Sequence, residues 1–336
     1  MTERYEVVVI GGGAAGLSGA LMLARARRSV LVIDGGSPRN APADGVHGLL
    51  ARDGMPPAEL LARGRDEVRR YGGHLADGEV DTVTRDGEDF TVVLAGGRRV
   101  RAGRLLVATG LVDELPEVPG LRERWGRDVV HCPYCHGWEV RDRPIGVLAT
   151  GPLSVHQALL FRQWSDDVVF LRHTAPPLGD EQAEQLAARG VPVVEGEVAS
   201  VEVVADRLAG VRLRDGRLVA REVLVAGPRM VARAGFLAAL GLRAVAHPSG
   251  AGEHVPADPM GRTDVPGVWV AGNVTDPAAQ VGAAAAAGAL AAAAINGDLV
   301  AEETRRAVEA RRRDVFSAET EARVSELVAG DRRHGL

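Results

Sequence analysis

Cysteine is nearly absent: in 336 residues there are two, Cys132 and Cys135. A pair three positions apart in an otherwise cysteine-free chain argues against a stapled secreted scaffold and for a working dithiol/disulfide couple. Structural zinc is also disfavoured. It needs four convergent ligands, and the only candidates to add are His131 and His136, crowded onto the same turn. No metal is expected. No sign of charge dominates either, with Lys+Arg 40 against Asp+Glu 45 and a net charge of −5. There is thus no broad basic field to gather nucleic acid or anionic lipid, and neither is expected as a partner. Long apolar runs are missing too. The Ala-rich run Val281 to Ile295, with Gly288 inside it, is shorter than the ~20 residues that span a bilayer and reads as a packed helix; beyond Asp298 the charged tail, with Arg311-Arg312-Arg313 flanked by acids, reads as a solvated or subunit-facing helix. Met1-Thr2-Glu3-Arg4 runs straight into a strand-like Tyr5 to Ile10, leaving no room for a signal peptide. The expectation is a soluble, cytoplasmic protein of about two domains.

The chain does carry a glycine turn in full context. Val7-Val8-Val9-Ile10 leads into Gly11-Gly12-Gly13-Ala14-Ala15-Gly16, a helical stretch to Arg27, and a second strand from Ser29 to Ile33 ending at Asp34. Strand, turn, helix, strand and acid follow in the order a dinucleotide fold requires. Gly11 permits the tight turn, Gly13 lets backbone approach a pyrophosphate, and Gly16 lets helix and sheet pack closely. The pyrophosphate would sit on the helix N-terminus, and Asp34 would accept from a ribose hydroxyl. Gly35 to Gly54 reads as a loop, in which Gly35, Arg39, Asn40 and His47 are candidate cofactor contacts; a plain surface loop is the other reading. A helix is expected over Pro57 to Tyr71. Strands are expected at Gly78 to Asp81, around the cofactor candidate Val80, then at Phe90 to Leu94 and Leu105 to Ala108. The last closes on Ala108-Thr109-Gly110, a turn small enough for a cofactor to approach. The Pro-rich connector Leu115 to Gly120 reads as a domain boundary.

A second strand-turn-helix plan follows at Pro144 to Val155. Ala149 stands where a first glycine belongs, Ser154 replaces the last small residue, and Pro152 removes an N–H donor. Only Arg172-His173 follows the next strand, where an NADP site would cluster arginines. The nucleotide site of this half reads as eroded. Further on, Val268 to Asn273 is a strand ending in Ala271-Gly272-Asn273, and Gln280-Val281 opens the Ala-rich helix, whose N-terminus faces a developing negative charge well.

Together the Gly11 to Gly16 turn, Ala108-Thr109-Gly110, the Cys132/Cys135 pair and Ala271-Gly272-Asn273 resemble the low-molecular-weight thioredoxin reductases over nearly the whole chain. The resemblance implies an α/β protein of two Rossmann-like three-layer domains: a discontinuous FAD domain, residues 1–114 and 248–336, around a central NAD(P)-like domain, 115–247. It also implies FAD as cofactor and a homodimer. Two departures matter. Those reductases have Asp after the second cysteine, where this chain has His136, and Asp where it has Asn273. With Cys-Pro-Tyr-Cys-His-Gly-Trp-Glu, these features look like the dithiol oxidases of holomycin- and gliotoxin-type natural products. The resemblance then implies a small-molecule dithiol substrate attacking Cys132, Cys135 facing the flavin, and dioxygen reoxidising it to give hydrogen peroxide. His136, titrating near neutrality, would be the base. An NADPH- or ferredoxin-fed disulfide reductase and a non-catalytic flavoprotein redox sensor are the other readings.

Overall fold

In the computed structural model, residues 3–315 and 318–330 are described; Met1, Thr2 and the end of the expected charged tail from Asp331 lie outside them. Among the described residues, contacts divide the chain into a unit up to Ala292, which holds every sheet, and a helical unit from Ala293 on.

β1 (Glu3–Ile10), α1 (Ala14–Arg25) and β2 (Val30–Asp34) form the first strand-helix-strand unit. Val7, Val8 and Val9 are all fully buried, as expected of a strand covered on both faces in a parallel sheet; each contributes roughly 1.5–3 kcal/mol of burial. α2 (Pro57–Arg70) packs on α1 and is followed by β3 (His74–Asp77), β4 (Val80–Asp86), β5 (Asp89–Leu94) and β6 (Arg99–Val107). The sheet order is β3-β2-β1-β6-β5-β4, parallel as far as β6 and antiparallel beyond it.

Two expectations are corrected here. Gly78 is the break between β3 and β4 rather than the start of a strand, because its φ of +150° suits glycine alone. β6 starts six residues before Leu105, since Val100 and Ala102 point inward between outward arginines.

The second sheet repeats the plan. β7 (Leu111–Glu114) leads into β8 (Val129–Val130), the single turn α3 (Pro133–His136), β9 (Ile145–Leu148), α4 (Ser154–Phe161), β10 (Val168–Leu171), α5 (Asp180–Ala188) and β11 (Val193–Val194). A three-stranded flap, β12 (Val198–Val204), β13 (Arg207–Leu213) and β14 (Leu218–Ala220), precedes β15 (Val223–Ala226). The parallel order is β11-β10-β9-β15-β8. The chain then returns through β16 (Arg229–Ala232), which pairs with β7, and the hairpin β17 (Val245–Ala246) and β18 (Glu253–His254). β19 (Val268–Val270) rejoins the first sheet beside Leu105–Val107 of β6.

α6 runs Val281–Val315 and α7 Ala318–Gly330. The Ala-rich run and the first part of the charged tail therefore form one continuous helix. Asn296, Gly297 and Asp298 do not break it, because the Ala, Glu and Arg residues that follow are strong helix formers. By length and composition, Val281–Arg313 is apolar enough to cross a membrane, with mean hydropathy 1.5 over its best window, of which 33% is buried within the protein. Near its start α6 lies on α1: a Cβ on Gly288 would strike the Ala15 carbonyl.

Candidate functional site

β1 is the point where strand order reverses, with β2 on one side and β6 on the other, and ligands of such sheets sit beyond the strand ends there. A cavity of about 1110 Å³ opens at this place. Gly11, at φ +106°, donates its N–H to the Ile33 carbonyl at 2.8 Å and lies directly against the Ala108 carbonyl. Gly16 does not line the cavity. Its missing side chain lets α1 lie on the Gly11 carbonyl, which is the packing role expected of it. Around Gly13 nothing lies within 4 Å of where a Cβ would be. The first turn of α1 has no side-chain cap, so its N–H groups face open space. That cradle fits a pyrophosphate.

Gly11, Gly13, Ala14, Ala15, Asp34, Gly35, Arg39, Asn40, His47, Val80, Ala108, Thr109, Gly110, Gly272, Asn273, Gln280 and Val281 all line this one cavity, together with Cys132, Cys135 and His136. Several have partners that sequence does not reveal. The Asp34 carboxylate accepts from the Gly12 N–H at 3.2 Å and from Arg65 of α2 at 2.6 Å. Arg39 holds Asp113 with a two-pronged pair at 2.8 Å each, so its guanidinium ties the 35–54 loop to β7. Thr109 Oγ1 donates to the Arg233 carbonyl at 2.7 Å. Asn273 Nδ2 donates to the carbonyls of Asp276 at 3.0 Å and Ala279 at 2.9 Å, clasping the turn that leads to Gln280. An aspartate cannot donate these bonds.

Cys132 and Cys135 are joined as a disulfide, with Cα atoms 5.2 Å apart. Cys132 is the N-cap of α3, and its Sγ accepts from the Cys135 N–H at 3.1 Å. Pro133 at the first helical position fits the turn, since its missing N–H is one that helix starts leave free. Burial pushes the His136 imidazole below its ordinary range; Glu139 and the Cys132 carbonyl oppose this, and His47 adds to it. It is therefore neutral near pH 7, with Nδ1 buried and without a hydrogen-bond partner. On the other side of the disulfide, burial and then the nearby Arg39 push His131 down to about 4. Gln157 of α4 fixes His131 through its Nδ1 at 3.1 Å and its carbonyl at 3.2 Å.

The second turn differs from the first. Ser154 Oγ accepts from the N–H groups of Thr150 at 3.1 Å and Gly151 at 3.2 Å. These are donors that a phosphate would need, and Pro152 has none. Ala149 is buried and does not adopt the positive φ of Gly11. Farther out, Arg172 is paired with Glu195.

The chain matches the pyridine nucleotide-disulphide oxidoreductase family over residues 5–293 and belongs to it; it is an oxidoreductase, and FAD is its cofactor. More particularly, it is similar to thioredoxin reductase sirT of Leptosphaeria maculans, 31% identical over 87% of this chain and 93% of that protein. Among solved structures it is similar to HlmI, at 51% identity and TM-score 0.88 over 94% of this chain and 99% of that one. An oxidoreductase from Agrobacterium tumefaciens, 38% identical, superposes with TM-score 0.83 over 88% of this chain and 99% of its own. The fold is the thioredoxin-reductase-like α/β architecture.

Proposed function

We propose that this protein is a dithiol oxidase that closes a small-molecule dithiol, of the kind found in sulfur-bridged natural products, into an intramolecular disulfide. The observation that carries the reading is a contrast between the two turns. The disulfide opens onto the cavity whose first turn is free to hold FAD, while the second turn has its N–H groups taken by Ser154. Electrons then enter from the dithiol side rather than from a nicotinamide.

Neutral His136 accepts the proton of a substrate thiol, and the thiolate attacks Cys132. Cys135 leaves as the mixed disulfide forms. The second substrate thiol displaces Cys132, releasing the cyclic disulfide and leaving both cysteines reduced. When bound, FAD would supply the two-electron acceptor that lets the Cys132–Cys135 bond re-form, with dioxygen as the final acceptor and hydrogen peroxide as its product. Gly13 and the α1 N-terminus hold the pyrophosphate, Asp34 the ribose, and Asn273 the shape of the loop before α6. A homodimeric assembly belongs to the same reading.

A second reading, a disulfide reductase fed by NADPH, draws support from the name of the sirT relative. Oxygen uptake decides between them. With dithiothreitol as substrate and no nicotinamide present, the oxidase consumes one dioxygen and yields one peroxide per disulfide formed, and Cys132→Ser abolishes this. Turnover that requires NADPH contradicts it.

A further inference from the structure

We infer that Glu139 and His47 carry protons between His136 and solvent, acting as positioning partners of the base. The inference rests on the reading of His136 just given. Closing a dithiol breaks two S–H bonds as one S–S bond forms. The two electrons go to the Cys132–Cys135 disulfide, whose own S–S bond breaks; the proton of the attacking thiol goes to His136, and that of the second thiol goes to the departing Cys132 sulfur, leaving Cys135 as thiolate. A base inside a cavity must release that proton before it acts again.

The residues beside His136 are arranged for this. Its Nδ1 is buried and has no side-chain hydrogen-bond partner, with only the Cys132 carbonyl acting on the ring from the backbone. Glu139 follows three positions later on the same segment, with Oε1 3.5 Å from His47 Nε2. The other nitrogen of His47, Nδ1, lies 3.6 Å from Asp53 Oδ1, and Asp53 is pinned by the Gly48 N–H at 2.9 Å. An imidazole with a carboxylate at each nitrogen takes a proton on one side and releases it from the other. Both separations are just beyond a hydrogen bond, and a small ring or carboxylate rotation closes them. Along this line the side chains are 40% exposed at Glu139, 26% at His47 and 70% at Asp53, so its far end lies in solvent. The charged or titratable groups that act on His136 are Glu139, His47 and Asp44, and His131 beyond the disulfide interacts with it as well. As a simple surface ion pair, His47 and Glu139 would be worth little; as a route for protons they serve His136, on which both act through their charge.

Glu139 does not line the cofactor cavity, so Glu139→Gln leaves FAD contacts untouched and is the principal variant, with His47→Gln beside it. The measurement is anaerobic stopped-flow bleaching of the flavin by dithiothreitol in the FAD-loaded protein, across pH and at rising imidazole concentration. Both variants are expected to reduce about tenfold more slowly at pH 7 and to recover as imidazole is added, whereas the unaltered protein ignores the buffer. Reduction at the parental rate, independent of buffer, in both variants overturns the proton route. His136→Gln separates this from the underlying reading: if it slows reduction while the other two do not, only the route fails. If it reduces at the parental rate at every pH, His136 is not the base and the route falls with it.

Discussion

Gly11 and Gly13 lack a side chain for opposite reasons. At Gly11 a Cβ would meet the Ala108 carbonyl at φ +106°, so Gly11→Ala is expected to destabilise the apoprotein by about 3 kcal/mol or more. At Gly13 a Cβ meets nothing in the protein, and the backbone has an ordinary φ of −78°. Gly13→Ala should therefore melt at or slightly above the parental temperature without FAD, yet lose FAD affinity tenfold or more, about 1.4 kcal/mol. Equal FAD content in the two proteins would contradict the cradle. Asn273 supplies another test. Asn273→Asp exchanges a donor for a charge facing the carbonyls of Asp276 and Ala279, at an expected cost of about 1–3 kcal/mol, read as a lower melting temperature and weaker FAD retention. These glycine roles were legible in sequence because they are backbone geometry, which spacing encodes. The partners were not: Arg65 meets Asp34 from 31 residues away, and Asp113 meets Arg39 from 74. Only the folded sheet brings them together.

Elements show how far local pattern reaches. β1, α1 and β2 are legible to within about two residues, because a buried Val run, a glycine turn and an acidic strand end leave no other solution. α6 joins into one helix the Ala-rich run and the charged helical tail that composition separates at Asn296 to Asp298. Its start is a close helix–helix crossing in which Gly288 sits against the Ala15 carbonyl. Gly288→Ala forces the helices apart, at an expected cost of about 1–3 kcal/mol. Because Ala15 is in the first turn of α1, FAD retention should fall with stability; a melting temperature unchanged by the substitution would contradict the crossing. The second turn teaches a different lesson. Sequence marks Ser154 as a replacement for a small residue, but its act of accepting from Thr150 and Gly151 is visible only in three dimensions. Ser154→Ala frees those donors and should cost about 1 kcal/mol in a thermal melt.

At the scale of the whole molecule, the chain contains no lysine, so all 40 of its basic side chains are arginines and none titrates near or below neutrality. Its acid-side stability therefore rests on carboxylates and histidines. His131 is held down to about 4 against an ordinary 6.5, so between these values the unfolded chain binds the proton that the fold refuses. Stability falls as pH drops through that window, by up to about 3 kcal/mol from this residue. His136 and His173, also lowered by burial, add in the same direction. Asp128 does not contribute in that window: burial pushes its carboxyl up, the Arg124 hydrogen bond and charge together with the Leu208 N–H more than offset this, and its effect is confined below the ordinary carboxylate range. Melting followed from pH 7 to 4 should show the decline, with a shallower slope in His131→Gln.

On the proposed reading, joining both sheets to one cavity would let a disulfide from the second sheet exchange with substrate and face a flavin held by the first. The most direct test is an anaerobic titration of the yellow protein, following flavin absorbance while dithiothreitol or NADPH is added in separate runs. Bleaching by one equivalent of dithiol, none by NADPH, and recovery in air with release of peroxide is the predicted result. Prompt bleaching by NADPH would contradict it, since the second turn would then hold a nicotinamide nucleotide despite Ser154.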